Sequence, residues 1–360
     1  MPFKRVQRSR HCRSTSVPRA RRRGDRVNAR LGRREFMTLL GGAAAWPFAA
    51  GAQQRTDAQT PKLYRVGFLF AGTIALRPQA QEFWRKLQEL GYSEGKNLIF
   101  EIREARGDVD RLPELAFEIV NSHPDVIVAV TSPATEAARM ATQTIPIVMA
   151  IVPDPVGLGF VESLARPGTN ITGSSSVAIE TIPKRVQLIK EILPELSRLG
   201  MLWNAKSASN RSMFQSAEQA ARSLGVPLRS FPVQGPEDLQ PILNKVFEED
   251  VSALLVAGDL LLFDRRADVI AFSLASRIPT FHTWPEEAVD GAVAAYGAEI
   301  ADQYRQAAVY VAKILAGAAP ADLPVDQAMR FQFVLNMKTA NAIGLKIPDV
   351  ILLRADKVID

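Results

Sequence analysis

The chain has 360 residues, 47% of them hydrophobic, which is enough apolar material for one large or two medium cores, and a formal net charge of +6. That charge sits at one end: residues 1–52 hold 13 Lys and Arg against two acids, Asp25 and Glu35, so the other 308 residues carry −5. This argues against a nucleic-acid partner, which would need a basic face on the folded body itself. The one cysteine, Cys12, lies in the same basic stretch, so disulfides and thiol chemistry are excluded from the rest.

Residues 1–54 read as a targeting segment and linker. The pair Arg33-Arg34, followed by Glu35-Phe36, precedes the apolar run Met37–Ala50. Ala50-Gly51-Ala52 is a small-x-small cleavage site, which predicts a mature chain beginning near Gln53 in the periplasm. The arginine pair is of the twin-arginine kind, and the run is short for a membrane span.

Alternating strands and helices follow. A strand is predicted at Tyr64–Phe70, and a helix at Pro78–Leu90 with Phe83, Leu87 and Leu90 on one stripe and Gly91 as its stop. A strand at Asn97–Ile102 and a helix at Leu112–Val120 come next. The stretch Asp125–Asp154 is the organising one. Val126–Val130 is an unbroken apolar run, as in a strand buried on both faces of a parallel sheet. Thr131 and Ser132 leave that strand, and Pro133 opens a helix over Ala134–Thr142, because its missing N–H is no loss in a first turn. A second buried strand, Ile147–Ile151, ends at Pro153-Asp154-Pro155. A helix is predicted around Gly157–Leu164 and a strand near Asn170–Thr172.

The second half repeats the first. Arg65–Leu69 is echoed by Arg198–Leu202, Leu90-Gly91 by Leu224-Gly225, Asp125-Val126 by Asp250-Val251, and Ile145-Pro146 by Ile278-Pro279. Four echoes in one order predict two similar α/β lobes, each a parallel sheet flanked by helices. The expected division is 61–173 plus about 298–325 for the first lobe, and 174–297 plus about 326–360 for the second. A long helix at Ile300–Leu315, a strand at Phe331–Asn336 and two short helices near Lys338–Ile343 and Pro348–Leu353 would lace the lobes together.

Open α/β sheets bind ligands at the carboxyl ends of their strands. In the first lobe these ends carry Ala71 and Thr73, then Thr131, Ser132 and Thr135, then Asp154. In the second they carry Asn204, Asn210, Asp259 and the run His282-Thr283-Trp284. Ser174 and Tyr296 stand at the junctions. Hydroxyls and a helix N-terminus suit a carboxylate, and Asp154 or Asp259 suits an ammonium, so the predicted ligand is a zwitterion or small carboxylate. Asp259 is equally an N-cap, and Trp284 equally a core residue. No phosphate-binding G-x-x-x-x-G-K-[ST], no G-x-S-x-G and no H-E-x-x-H occurs. His123 and His282 are far apart in sequence and no cysteine lies near them, so neither a metal site, a cofactor nor an enzyme is expected.

Several longer segments resemble one family. These are the leader Arg33–Gln54, Asp154–Gly159, Arg166–Gly173, Ala318–Val325 and the closing Leu353–Ile359. They are similar to ABC-transporter substrate-binding proteins, and the resemblance covers nearly the whole mature chain. It implies the type I periplasmic-binding fold, two Rossmann-like lobes closing on a small ligand, with some members resembling tryptophan or aromatic amino-acid receptors. It further implies an inner-membrane ABC permease as partner and a monomeric receptor. Where relatives often have Asn-Pro, this chain has Asn204-Ala205-Lys206. The alternatives are a sensory module feeding a kinase or chemoreceptor, and a periplasmic enzyme.

Overall fold

The computed structural model describes residues 62–74 and 78–360; the predicted leader and its cleavage site lie outside them. The first sheet is built from β1 (Tyr64–Phe70), β2 (Leu98–Glu104), β3 (Val126–Val130), β4 (Ile147–Val152) and β5 (Ile171–Ser175), with α1 (Gln81–Glu89), α2 (Leu112–Asn121) and α3 (Ser132–Ala141) between them. The chain then enters the second sheet through α4 (Ile182–Ile192), β6 (Leu199–Asn204), α5 (Ala208–Ser223), β7 (Leu228–Val233), α6 (Leu239–Glu248) and β8 (Ala253–Val256). The short α7 (Leu260–Asp264) and α8 (Arg266–Ser276) lead to β9 (Thr280–His282), α9 (Pro285–Asp290) and β10 (Ala294–Gly297). The tail comprises α10 (Ile300–Leu315), β11 (Asp326–Gln327), β12 (Gln332–Asn336), α11 (Met337–Ala342), α12 (Asp349–Leu352) and β13 (Lys357–Ile359).

The six-stranded sheet has the order β11-β5-β4-β3-β1-β2, and the seven-stranded sheet β13-β12-β10-β9-β8-β6-β7. All pairings are parallel except β10 with β12. The central strands β3 and β4 are buried along their whole length, which is why they read as unbroken apolar runs. Apart from the shared β11–β13 tail, each lobe has the same doubly wound core, as the echoes predict. Among the described residues the chain passes between the sheets in three segments, 176–181, 298–299 and 328–331.

Two local expectations are corrected. No helix forms over Gly157–Leu164; the segment is a run of turns. Asp154 caps a single turn by accepting from the Gly157 N–H, and Gly159, at φ +69, ends it there, with the Phe160 N–H returning to Pro155 O at 2.9 Å. Leu90 is 40% exposed and does not join the stripe of Phe83 and Leu87, because it lies past the last turn of α1, just before Gly91 turns the chain at φ +90.

Candidate functional site

The carboxyl ends of the two sheets face each other, and this is where polar residues meet. Ser209 Oγ, at the start of α5, donates to Ser132 Oγ, at the start of α3, across 2.6 Å. The Thr73 amide donates to Asp264 Oδ2 at 3.3 Å, and Lys206 Nζ pairs with Asp110 Oδ2 at 2.6 Å. Both serines are buried, whereas the Lys206–Asp110 pair lies on the exposed rim.

Thr131 is the strained residue of the site. It stands between β3 and α3 with φ 80 and ψ 164, a region otherwise left to glycine. The strand fixes it from one side, its N–H donating to Ala150 O at 2.8 Å, and the helix from the other, its carbonyl accepting from the Thr135 N–H at 3.0 Å. Its Oγ1 is buried without a hydrogen-bond partner among the described residues. A β-branched residue in such a conformation costs about 1–3 kcal/mol, which persists where the surroundings over-determine it and is characteristic of ligand sites. Thr135 is placed differently. Its Oγ1 returns to Thr131 O at 2.9 Å and so reinforces the first turn of α3.

In the second lobe, Asn204, Asn210 and Asp259 form one buried network. Asn204 Nδ2 donates to both Asp259 oxygens, at 3.2 and 3.3 Å, and the Asn204 amide donates to Asn210 Oδ1 at 3.1 Å. Asn210 Nδ2 also reaches Gly258 O at 3.3 Å. Asp259 Oδ1 accepts from the Leu261 N–H at 2.9 Å, so the residue is an N-cap of α7 as well as a member of the network. Because Ala205 and not proline follows Asn204, the Ala205 N–H donates to Val233 O at 2.8 Å, while the Lys206 N–H donates to Asn204 Oδ1 at 3.0 Å.

The remaining predicted residues are dispersed. Ala71 is buried directly after β1. Asp154 Oδ1 accepts from the Gly157 N–H at 2.7 Å within its own turn. Ser174 is buried and donates to Gln303 Oε1 at 3.3 Å. Tyr296 stacks on Phe331, ring centroids 6.1 Å apart. Trp284 is 5% exposed, meets Phe263 edge-on at 5.4 Å, and packs with it into the apolar cluster of the first sheet. It is thus a core residue whose core belongs to the opposite lobe.

Behind this loop lies a buried polar cluster of which the sequence reading named only His282. His282 Nδ1 lies 2.8 Å from Glu287 Oε1, and Glu287 Oε2 accepts from the Trp284 N–H at 3.0 Å. Glu286 Oε1 accepts from the Ile300 N–H at 2.9 Å, at the second crossing, and burial pushes its carboxyl up to about 7. Arg185 is fully enclosed in α4, and burial lowers its guanidinium to about 10. Only the i to i+5 spacing of His282 and Glu287 could have signalled it, and that spacing is common. Among the described residues no group of three His, Cys, Asp or Glu could hold a metal, and no helix is long and apolar enough to cross a membrane.

A tyrosine-binding protein of Clostridioides difficile (strain R20291) is 24% identical over 298 residues, 83% of this chain and 85% of that one. A solved structure of a conserved domain protein from Vibrio cholerae is 30% identical, covers 82% of this chain and 100% of its own, and superposes with a TM-score of 0.78. An ABC domain from Streptococcus pneumonia, solved in complex with L-Trp, is 23% identical over 83% of this chain and 100% of its own, with a TM-score of 0.74, and shares the fold. The family model described as ABC transporter substrate binding protein matches residues 75–359, and the chain belongs to that family.

Proposed function

We propose that the chain is an exported receptor that binds an amino acid or related small carboxylate between its lobes and hands it to an ABC permease of the inner membrane. The observation that carries the reading is the meeting of Thr131, Ser132 and Ser209 where the two sheets face each other, with a strained backbone and an unpartnered buried hydroxyl. The start of α3 supplies N–H groups and the positive end of the helix for a carboxylate. For an ammonium the reading takes the Asp259 carboxylate, which Asn204 holds in the second lobe, with Asp154 as the other candidate acid. The amino-acid ligands in the names of the Clostridioides and Streptococcus proteins support the same ligand class. The lobes act as two bodies joined at the three crossings, and the receptor works as a monomer without catalytic chemistry.

A thermal-shift screen of amino acids and aromatic acids tests the reading. A ligand present at 100 times its dissociation constant adds about 2.7 kcal/mol. Calorimetry on Asp259→Asn then locates the ammonium: truncating one partner of a buried ion pair costs about 2–5 kcal/mol, roughly 30- to 5,000-fold in affinity. Unchanged affinity for a confirmed amino acid in both Asp259→Asn and Asp154→Asn would remove the ammonium from these two acids.

Export is the second part of the proposal. The arginine pair, the apolar run and Ala50-Gly51-Ala52 support a cleaved signal. Protein recovered from the periplasm should begin at or near Gln53 on N-terminal sequencing. Full-length chain retained in the cytoplasm would contradict it.

A further inference from the structure

Arg185, 2% exposed, lies near the start of α4, the first helix after the 176–181 crossing. Its guanidinium reaches in two directions. Nη2 donates to Ala178 O and to Thr181 Oγ1, each at 2.7 Å, inside the crossing itself. Nη1 donates to Thr283 Oγ1, also at 2.7 Å, in the loop that follows β9 and precedes Trp284. Both ends are tightly held. The crossing contains Val177 at φ 44, a left-handed conformation that a β-branched residue rarely adopts. Thr283 is pressed by two backbones: a Cβ at Gly297 would lie 2.2 Å from Thr283 O, and one at Gly258 would lie 2.9 Å from Thr283 Cγ2.

The three acceptors of Arg185 are neutral oxygens, and its Nε has no partner among the described residues. A buried charge held this way is a poor source of stability, since an apolar side chain of similar volume often does as well or better. What the guanidinium does that an apolar chain cannot is bond to a lobe crossing and to a cleft loop at once. Trp284, next to Thr283, packs into the apolar cluster of the opposite lobe, so a shift of this loop is felt across the cleft.

We propose that Arg185 is a positioning residue that couples the first lobe crossing to the Thr283-Trp284 loop, so that lobe rotation and placement of that loop are one event. Its functional meaning rests on the cleft being the ligand site, but the coupling is measured without ligand. Hydrogen exchange on the full chain would compare the parent with Arg185→Met, Thr283→Val and the double variant. Each single change should raise amide exchange in both 177–183 and 284–288 by about tenfold, and the double variant should add little, because both changes break the same link. Leu254→Ala, in the core of the same lobe, serves as the control for general loosening and should raise exchange across β6 and β8 as well. Exchange that rises only around the altered residue, or that adds fully in the double variant, overturns the proposal. If Arg185→Met does not fold, Arg185→Lys is measured instead; it can keep one of the two directions but not both, so the segment that loses its bond should report the loss at the other. Failure of every amino acid to bind would leave this result standing.

Discussion

Glu286 carries an oxygen at the second crossing that must choose between burial and charge. Its carboxyl rises from an ordinary 4.5 to about 7, first because burial disfavours the anion and then because Glu287 and Glu299 repel it; its own amide and that of Ile300 pull the other way. The folded value lies above the unfolded one, so the native state holds the proton more tightly. The stabilisation is complete below about pH 4.5 and is lost as pH rises through about 7. A shift of this size corresponds to about 3 kcal/mol. Glu286→Gln keeps an acceptor for the Ile300 N–H and removes the titration. The urea midpoint of the variant should fall less than the parent's between pH 5 and 8, and the variant should be the more stable protein at pH 8. Parallel pH curves for parent and variant would assign the dependence to another group. The same scale shows what a sequence withholds. Asp259 and Trp284 each left two readings open, and the structure gives each of them a structural role: Asp259 caps α7 while joined to Asn204, and Trp284 lies in the core of the opposite lobe. A side chain that does two things cannot be read as one from its type alone.

At the scale of elements the sequence is far more legible, and the reason is periodicity. The strands β1 and β3 and the helix α10 have the bounds their apolar patterns predict, because a strand buried on both faces and a long helix with one buried face leave strong signals. Apolar runs at corresponding places in the two halves therefore give the two-lobe plan. The signal fails where geometry depends on contacts distant in sequence. The turns after Asp154 begin as a helix does, with the Asp154 carboxylate capping Gly157, but the φ of Gly159 stops them after one turn. Gly258 and Gly297 look like ordinary loop glycines, yet both are needed for the close approach to Thr283. Arg185 gives no sign in the sequence of its burial, which shows only once its partners, 4, 7 and 98 residues away, are brought together.

For the molecule as a whole, the question is what holds the lobes together. Beside the hydrogen bonds Ser209–Ser132 and Thr73–Asp264, two contacts compete: the rim pair Lys206–Asp110, and the apolar group Leu260, Phe263 and Trp284, which the second lobe packs into the cluster of the first. An exposed ion pair contributes about 0–1 kcal/mol and is screened by salt. A buried aromatic side chain removes about 150–250 Å² from water, so at about 25 cal/mol per Å² each is worth several kcal/mol. The aromatic pair should therefore set the closed arrangement, and the ion pair should trim it. Small-angle scattering separates the two. Phe263→Ala should expand the protein measurably, whereas Lys206→Ala, or raising the salt from 0.05 to about 0.5 M, where the Debye length is a few ångströms, should change the radius little. A saturating amino-acid ligand should compact the Phe263→Ala variant more than the parent, because ligand contacts then replace the lost apolar bridge in drawing the lobes together. A larger expansion from Lys206→Ala than from Phe263→Ala would mean that charge, not apolar contact, governs closure.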